Sequence, residues 1–193
     1  MIDDFVIPDP NAPLDLAERL ASVPAQASVK GMFFQTMSGQ AFAASGQLPG
    51  RDRYVAYKDY PLREWIELLL KAARLTFPRV PVREGLRRLG QESYPTFARS
   101  TVGRVLMAAA GNNLGAALRL APRAFPLTSS TTRCEVVATA DRRAVLRLIR
   151  AWDFTEALHV GVFEGTMRSF QRTGLVRVRI LSLSSADFEI TWT

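Results

Sequence analysis

The sequence predicts an α+β fold in which a helical N-terminal layer packs on an antiparallel four-stranded sheet. Apolar residues recur at helical spacing through residues 28–125, whereas beyond Pro126 they alternate at the spacing of strands. A further helical pattern between two strand pairs gives the order strand–strand–helix–strand–strand in residues 126–193. A length of 193 residues suits one domain, so residues 1–27 are predicted to form an arm on it.

The helical layer is predicted to contain five or six segments. Asp15 precedes a short apolar turn as a cap, and Ser28 is placed as the N-cap of a helix that runs to Phe42. The clearest amphipathic pattern starts after Pro61 and covers 62–77. The remaining segments are expected at 82–98 with an interruption near Gly90 and Pro95, at 102–110, and at 114–121 before Pro122.

The C-terminal part is predicted to place a helix over 155–172 between strand pairs at 134–150 and 176–192. Strict alternation in the second pair predicts one apolar face toward a helix and one polar face in water. Gly161 and Gly165 share one face of the helix, which predicts a groove for close backbone packing.

Composition favours a folded cytoplasmic protein. Hydrophobic residues make up 48% of the chain and charged residues 22%, which excludes disorder as the default state. No apolar run approaches the ~20 residues of a membrane span, so we expect no membrane insertion. The acidic start Met1-Ile2-Asp3-Asp4 does not resemble an export signal, and the single Cys134 suits a reducing compartment.

The net charge of +7 allows an anionic partner, but its distribution does not favour nucleic acid. Basic residues are spread over the whole length, with doublets only at Arg87-Arg88 and Arg142-Arg143. A nucleic-acid-binding arm usually clusters its charge more tightly. Nucleic acid is therefore the least favoured partner.

A series of short segments resembles a family of roughly 200-residue paralogous proteins of unknown function that is expanded in myxobacteria. The resemblance runs in order from Val29 to Trp192. The segments are Lys30–Phe34, Asp59–Leu62, Leu89-Gly90, Tyr94–Phe97, Gly103–Leu106, Ala121–Phe125, Gly161–Gly165 and Asp187–Ile190. More distantly, the layout is similar to the superfamily of heme–nitric-oxide-binding domains, vinyl-reductase-like domains and TRAPP subunits.

The wider resemblance implies small-molecule sensing or subunit assembly, without the cofactors of the metal-binding branches. The heme branch implies a proximal histidine and a Tyr-x-Ser-x-Arg signature, yet here Tyr94 is followed by Thr96 and Ala98. Cysteine-ligated sites of the vinyl-reductase-like branch are impossible with Cys134 alone. We therefore expect no cofactor.

No catalytic set is recognisable in the sequence. His159 is the only histidine, and a Gly-x-Ser-x-Gly elbow is absent, which argues against a serine hydrolase. The glycines of 39–50 match no phosphate-binding loop. Asp141, Asp153 and Asp187 are interpreted as turn residues. We expect neither a metal site nor an enzyme, and interpret His159 as a partly buried structural residue.

One cluster suggests a ligand-binding wall. Tyr94 and Phe97 stand beside Arg99 and Arg104 around Pro95, an arrangement that fits a small apolar or anionic ligand. Core packing with arginines that extend to solvent is the alternative interpretation.

The function predicted from these observations is a non-enzymatic cytoplasmic regulatory or sensor module that binds a small ligand or a protein partner. The alternative is a self-associating structural subunit that resembles TRAPP-type homodimers. A cavity of about 300 Å³ or more between helices and sheet would favour a ligand, and a fully packed centre would favour assembly.

Overall fold

The computed structural model describes residues 4–193, which form eight α-helices and six strands. The helices are α1 (Leu16–Ser22), α2 (Gly31–Ser45), α3 (Leu62–Thr76), α4 (Val82–Gly90), α5 (Ser93–Arg99), α6 (Thr101–Ala110), α7 (Leu114–Ala124) and α8 (Leu158–Ser169). The strands are β1 (Ser28–Lys30), β2 (Asp59–Pro61), β3 (Arg133–Ala140), β4 (Arg143–Ile149), β5 (Gly174–Ser182) and β6 (Ser185–Trp192). Within residues 4–193, no helix combines the length and apolar character needed to cross a membrane.

The four C-terminal strands form one antiparallel sheet in the order β3-β4-β6-β5, and α8 connects β4 to β5. Leu146 on β4 pairs with Phe188 on β6, which pairs with Val178 on β5, so these apolar side chains share the inner face. This architecture confirms the predicted α+β fold and its strand–strand–helix–strand–strand order. The treatment of the chain as one domain remains a prediction.

The N-terminal part differs from the prediction at Ser28. Asp15 caps α1 as expected, because its side chain accepts a hydrogen bond from the Glu18 amide. Ser28, however, is not a helix cap: it lies in β1 opposite Pro61, and α2 begins at Gly31. The prediction was wrong because pairing of β1 with β2 keeps the chain extended for three more residues.

The arm that precedes α1 contacts an edge of the sheet. The backbone of Val6 exchanges two hydrogen bonds with Val178 of β5, at 2.9 and 2.8 Å. These bonds extend the sheet beyond an otherwise unpaired edge. The arm predicted for 1–27 is therefore anchored at Val6, while its first three residues lie outside the described part.

Two prolines lie inside helices, for different reasons. Pro95 occupies the first turn of α5, where its missing N–H has no helical partner to lose. Pro122 lies in α7, which continues to Ala124 instead of ending at residue 121 as predicted. Only the final turn follows Pro122, so the helix gives up one hydrogen bond near its end.

Two apolar clusters form the interior. The first lies among the helices and centres on side chains such as Phe34, Trp65 and Leu69. The second lies between the sheet and helices α7 and α8, and includes Phe163 and Phe188. Helix α8 joins them, since Leu158 belongs to the first cluster and Phe163 to the second.

Helices α4 and α8 approach each other through glycines, as predicted for Gly161 and Gly165. A Cβ atom on Gly161 would lie 1.8 Å from the Arg87 carbonyl oxygen, and one on Gly165 would lie 2.2 Å from that of Gln91. From the other side, a Cβ on Gly90 would lie 2.0 Å from the Leu158 carbonyl oxygen. The two backbones therefore touch, and no side chain fits between them.

The outer face of the sheet carries buried charges where exposed ones were predicted. Asp187 and Glu189 on β6 are fully or almost fully buried. Arg147 and Arg179 bond the Asp187 carboxylate from the flanking strands. Burial alone would raise the pKa of Asp187, but these two arginines hold the pKa below its ordinary value.

Two interpretations of the sequence are therefore wrong at this face. The polar side chains were predicted to lie in water, but the acids are buried. Asp187 was interpreted as a turn residue, but it lies in strand β6. Arg143 and Arg177 bond Glu189 in the same manner, so the face is a ladder of ion pairs. The alternation of the strands was recognised correctly, but arginines on both neighbouring strands cover the acids.

The α4–α8 contact predicts that Gly161→Ala destabilises the protein. The new methyl group overlaps backbone that cannot move independently, so we expect a loss of about 1–3 kcal/mol in the free energy of unfolding. Gly39→Ala is the matched control, because that exposed helical position has open space around its Cβ and should gain stability. Urea denaturation of both variants measures the difference. Equal stability of the two would contradict the contact.

Candidate functional site

A partly open cavity lies where the two apolar clusters meet. Its volume is about 110 Å³, and residues from β1 and from helices α2, α3, α5, α6, α7 and α8 form its wall. The side chains around it are Val29, Phe33, Trp65, Ser93, Tyr94, Phe97, Leu106, Met107, Ala117, Leu118, Leu120, Ala121, Ala124, Phe125, Thr128, Ser129, Thr132, Asp153, Leu158, His159, Val162, Phe163 and Thr166. Most are apolar, and Asp153 and His159 are the titratable exceptions apart from the Tyr94 phenol.

Asp153 and His159 form a hydrogen-bonded pair on this wall. The Nε2 atom of His159 lies 2.8 Å from Oδ1 of Asp153. Trp65 on α3 donates its indole N–H to the other carboxylate oxygen at 3.1 Å. One carboxylate therefore links the start of α8 to the first turn of α3.

The electrostatics of the pair fix the proton on Nε2. Burial alone would raise the pKa of Asp153, but the charge of His159 and the hydrogen bonds from His159 and Trp65 lower the pKa below its ordinary value. Asp153 is therefore a carboxylate at neutral pH and can only accept hydrogen bonds. It follows that Nε2 of His159 donates to it.

The second ring nitrogen of His159 has no such partner. The residue is only 5% exposed, and within residues 4–193 its Nδ1 atom has no hydrogen-bond partner. The other hydroxyl groups nearby are largely committed: Thr166 donates to the Val162 carbonyl, and Thr128 donates to that of Phe125. Nδ1 thus stands out as a buried polar atom without a partner.

The loop that carries Asp153 is held by a buried arginine. Arg19 of α1 donates to the carbonyl oxygen of Trp152 at 2.8 Å and pairs with Glu156 at 2.6 Å. Its guanidinium carbon also lies 4.8 Å from the centre of the Phe154 ring. Phe154 has a φ of +63°, a strained backbone conformation that this packing stabilises. Arg19 therefore fixes the residues on both sides of Asp153.

The structure divides the four residues predicted to bind a ligand. Tyr94 and Phe97 lie on the cavity wall. Burial raises the pKa of Tyr94 to about 12, and its hydroxyl donates to the sulfur of Met107. Arg99 and Arg104 are exposed and lie outside the wall. A role in ligand binding remains a prediction for all four.

Sequence reasoning missed the Asp153–His159 pair. Asp153 was interpreted as a turn residue. The two glutamates close to His159 in the sequence, Glu156 and Glu164, pair with Arg19 and Arg87 and not with the histidine. A buried lone histidine six residues after an aspartate was the signal in the sequence, but the contact depends on the loop bending back.

Residues 4–193 contain no group of three or more histidine, cysteine, aspartate or glutamate side chains that could hold a metal ion. Cys134 is a buried residue of β3, and burial raises the pKa of its thiol to about 12.

The chain belongs to the DUF2378 family of proteins of unknown function, whose sequence model matches residues 22–193. This match confirms the predicted family of unknown function, while the myxobacterial origin and the likeness to TRAPP subunits remain predictions. No match was found among curated proteins.

The fold is similar to that of H-NOX proteins. An H-NOX protein from S. oneidensis in the Fe(II)NO ligation state is 14% identical, with a TM-score of 0.66 over 85% of this chain and 99% of that one. A triple mutant from the same organism in the Fe(II) state is 13% identical, with a TM-score of 0.69 over 85% and 96%. An oxygen-binding H-NOX domain related to soluble guanylate cyclases is 16% identical, with a TM-score of 0.60 over 84% and 92%.

The residues of this cavity do not fit the heme that the resemblance implies for the heme branch. A volume of about 110 Å³ is well below the roughly 300–1,000 Å³ of pockets that enclose drug-sized ligands. No arginine or lysine is among the wall residues to pair with propionates. The Nε2 atom of the only histidine is already bonded to Asp153. The site therefore suits a smaller and less charged occupant.

The buried pair predicts a specific acid sensitivity. Because the pKa of Asp153 is lowered in the folded state, its contribution to stability is present above the unfolded pKa and is lost as pH falls through the folded pKa. Asp153→Asn should therefore lower the free energy of unfolding by about 3–5 kcal/mol at pH 7. The difference in the free energy of unfolding between Asp153→Asn and wild type should decrease below about pH 4.

Denaturation with urea at pH 7 and at a series of acid values measures this effect. Asp141→Asn, at an exposed turn, is the matched control and should leave the curve unchanged. A constant difference between Asp153→Asn and wild type at all pH values would contradict the assignment.

Proposed function

We propose that this DUF2378-family chain is a non-enzymatic cytoplasmic sensor module that binds a small ligand inside the cavity. The single observation that carries the proposal is a partly open, mostly apolar cavity with one polar pair on its wall. Such a combination of apolar surface and few placed polar groups is typical of ligand sites. The fold shared with H-NOX proteins supports it by analogy, since those proteins are described in ligand-bound states.

The position of the cavity suits a sensor. Its wall includes Trp65 from the helical cluster and Phe163 from the sheet cluster, so an occupant would contact both. A ligand that fills the space adds contacts which the cavity lacks, and thereby favours the arrangement of the clusters that it fits. Ligand binding would thus be coupled to the relative position of helices and sheet.

The cavity is smaller than the roughly 300 Å³ set as the sequence-based criterion for a ligand. Its actual volume of about 110 Å³ is nevertheless comparable with the apolar cavity of about 150 Å³ that admits benzene or xenon in another protein. The cavity therefore suits a compact ligand of a few atoms.

Xenon tests whether the cavity is accessible. We expect NMR spectra of the full chain under xenon pressure to show saturable shifts at wall residues such as Leu118 and Phe163. Ala121→Phe places a ring in the cavity and should abolish these shifts. Ala109→Phe, at an exposed position outside the wall, is the matched control and should retain them. Absence of saturable shifts in wild type would contradict the proposed function.

Self-association is the second candidate function. Val102 and Val105 are exposed on α6, where Val105 is 68% exposed, and Val136 and Val137 are exposed on the edge strand β3. Exposed apolar surface of this kind favours contact with another protein, including a second copy.

Light scattering at high protein concentration distinguishes this candidate. We expect Val105→Asp to reduce any dimer severalfold, because a buried unpaired charge opposes association. Arg104→Gln on the same helix lowers the net charge by the same single unit and controls for charge alone. A strict monomer in wild type would remove the candidate.

A further inference from the structure

We infer that the cavity binds a neutral, mostly apolar molecule that carries one hydroxyl group, and that the hydroxyl pairs with Nδ1 of His159. This inference rests on the proposed function and names the ligand class of the same site. Its physical basis is that His159 is a wall residue whose Nδ1 atom is buried and, within residues 4–193, has no hydrogen-bond partner.

The identity of the bonded nitrogen determines what the free one can do. Nε2 donates to Asp153 at 2.8 Å, so Nδ1 either carries a lone pair in the neutral ring or an N–H in the charged ring. A hydroxyl group can donate to the first form and accept from the second. A ligand hydroxyl therefore satisfies Nδ1 in both protonation states.

The charges on the wall disfavour an anionic ligand. The Asp153 carboxylate lies on the wall, and the wall residues include neither arginine nor lysine. A ligand carboxylate would lose its hydration without meeting a full cationic partner, because the His159 ring is already paired with Asp153. Of the two predicted ligand classes, apolar and anionic, the geometry favours the apolar one.

The rest of the wall sets the size and shape. Aromatic and aliphatic side chains such as Phe33, Phe97 and Phe163 surround the space, and the His159 ring itself lies 6.0 Å from that of Phe125 between ring centres. An apolar cavity of about 150 Å³ holds benzene. The volume of about 110 Å³ therefore suits a compact molecule of about four to six non-hydrogen atoms.

Two probes of the same shape separate hydroxyl recognition from simple filling of the cavity. Cyclopentanol and methylcyclopentane differ only in a hydroxyl or a methyl group. A purely apolar cavity binds the hydrocarbon more tightly, because the hydroxyl group of the alcohol would lose its hydrogen bonds to water and form none in the cavity. Pairing with Nδ1 reverses that order, and we expect cyclopentanol to bind about three- to tenfold more tightly.

Titration of the full chain with each probe, followed by NMR, measures both dissociation constants. Tighter binding of cyclopentanol supports the inference. Equal affinities or a preference for methylcyclopentane would overturn the inference and leave the proposed function standing. Failure of both probes to bind would overturn the inference and count against the proposed function, which the xenon experiment tests separately.

The role of His159 is tested by His159→Gln. The glutamine amide can still donate to Asp153 but offers no atom in place of Nδ1, so the preference for cyclopentanol should disappear while methylcyclopentane binds as before. Arg53→Gln, at an exposed position outside the wall, is the control and should change neither affinity. A preference that survives His159→Gln would overturn the assignment of Nδ1.

A spectroscopic readout on wild type covers the case in which His159→Gln does not fold. The ¹⁵N resonance of Nδ1 reports directly on its hydrogen bonding. Cyclopentanol should shift it, and methylcyclopentane should not. An unchanged Nδ1 resonance at saturating cyclopentanol would overturn the inference.

Discussion

The direct contact of the α4 and α8 backbones determines where the rest of the site lies. Glycines on both helices bring carbonyl oxygens to positions that any Cβ atom would occupy. His159 is the second residue of α8. The contact between the helices therefore sets both the position of His159 along the helix axis and the direction in which its side chain leaves α8 relative to α3. The hydrogen bonds from His159 and Trp65 to Asp153 then join α8 and α3 through one carboxylate. The cavity is the space that this fixed arrangement leaves open.

The sequence predicted the fold well because periodicity reports which face of an element is buried. The change from helical to strand spacing near Pro126 and the glycine pair in α8 were sufficient for the α+β architecture. Local signals were weaker at Ser28, where strand pairing with a segment 30 residues away outweighed a good capping residue. Such pairing cannot be predicted from the residues that surround Ser28 in the sequence.

The candidate site was only half accessible from the sequence. Tyr94 and Phe97 were identified as aromatic residues beside arginines around Pro95, and both lie on the cavity wall. Arg99 lies on α5 with these aromatic residues and Arg104 lies on α6, but both arginines are exposed, so their closeness in sequence did not place them in the cavity wall. The Asp153–His159 pair depends on the strained loop around Phe154, and the burial of Asp187 depends on arginines from two other strands. Both are properties of tertiary structure alone.

The buried Arg19 gives the first helix an importance that sequence similarity does not reveal. Its guanidinium joins α1 to Trp152, Glu156 and the carbonyl of Leu183, which are 133 to 164 positions away in the chain. The family match begins at residue 22 and so excludes it. A protein trimmed to the matched boundary would retain every cavity residue and yet leave the Glu156 carboxylate without its cation. A domain boundary taken from the family match would thus remove the arginine that holds the Asp153 loop, on which the proposed ligand recognition depends.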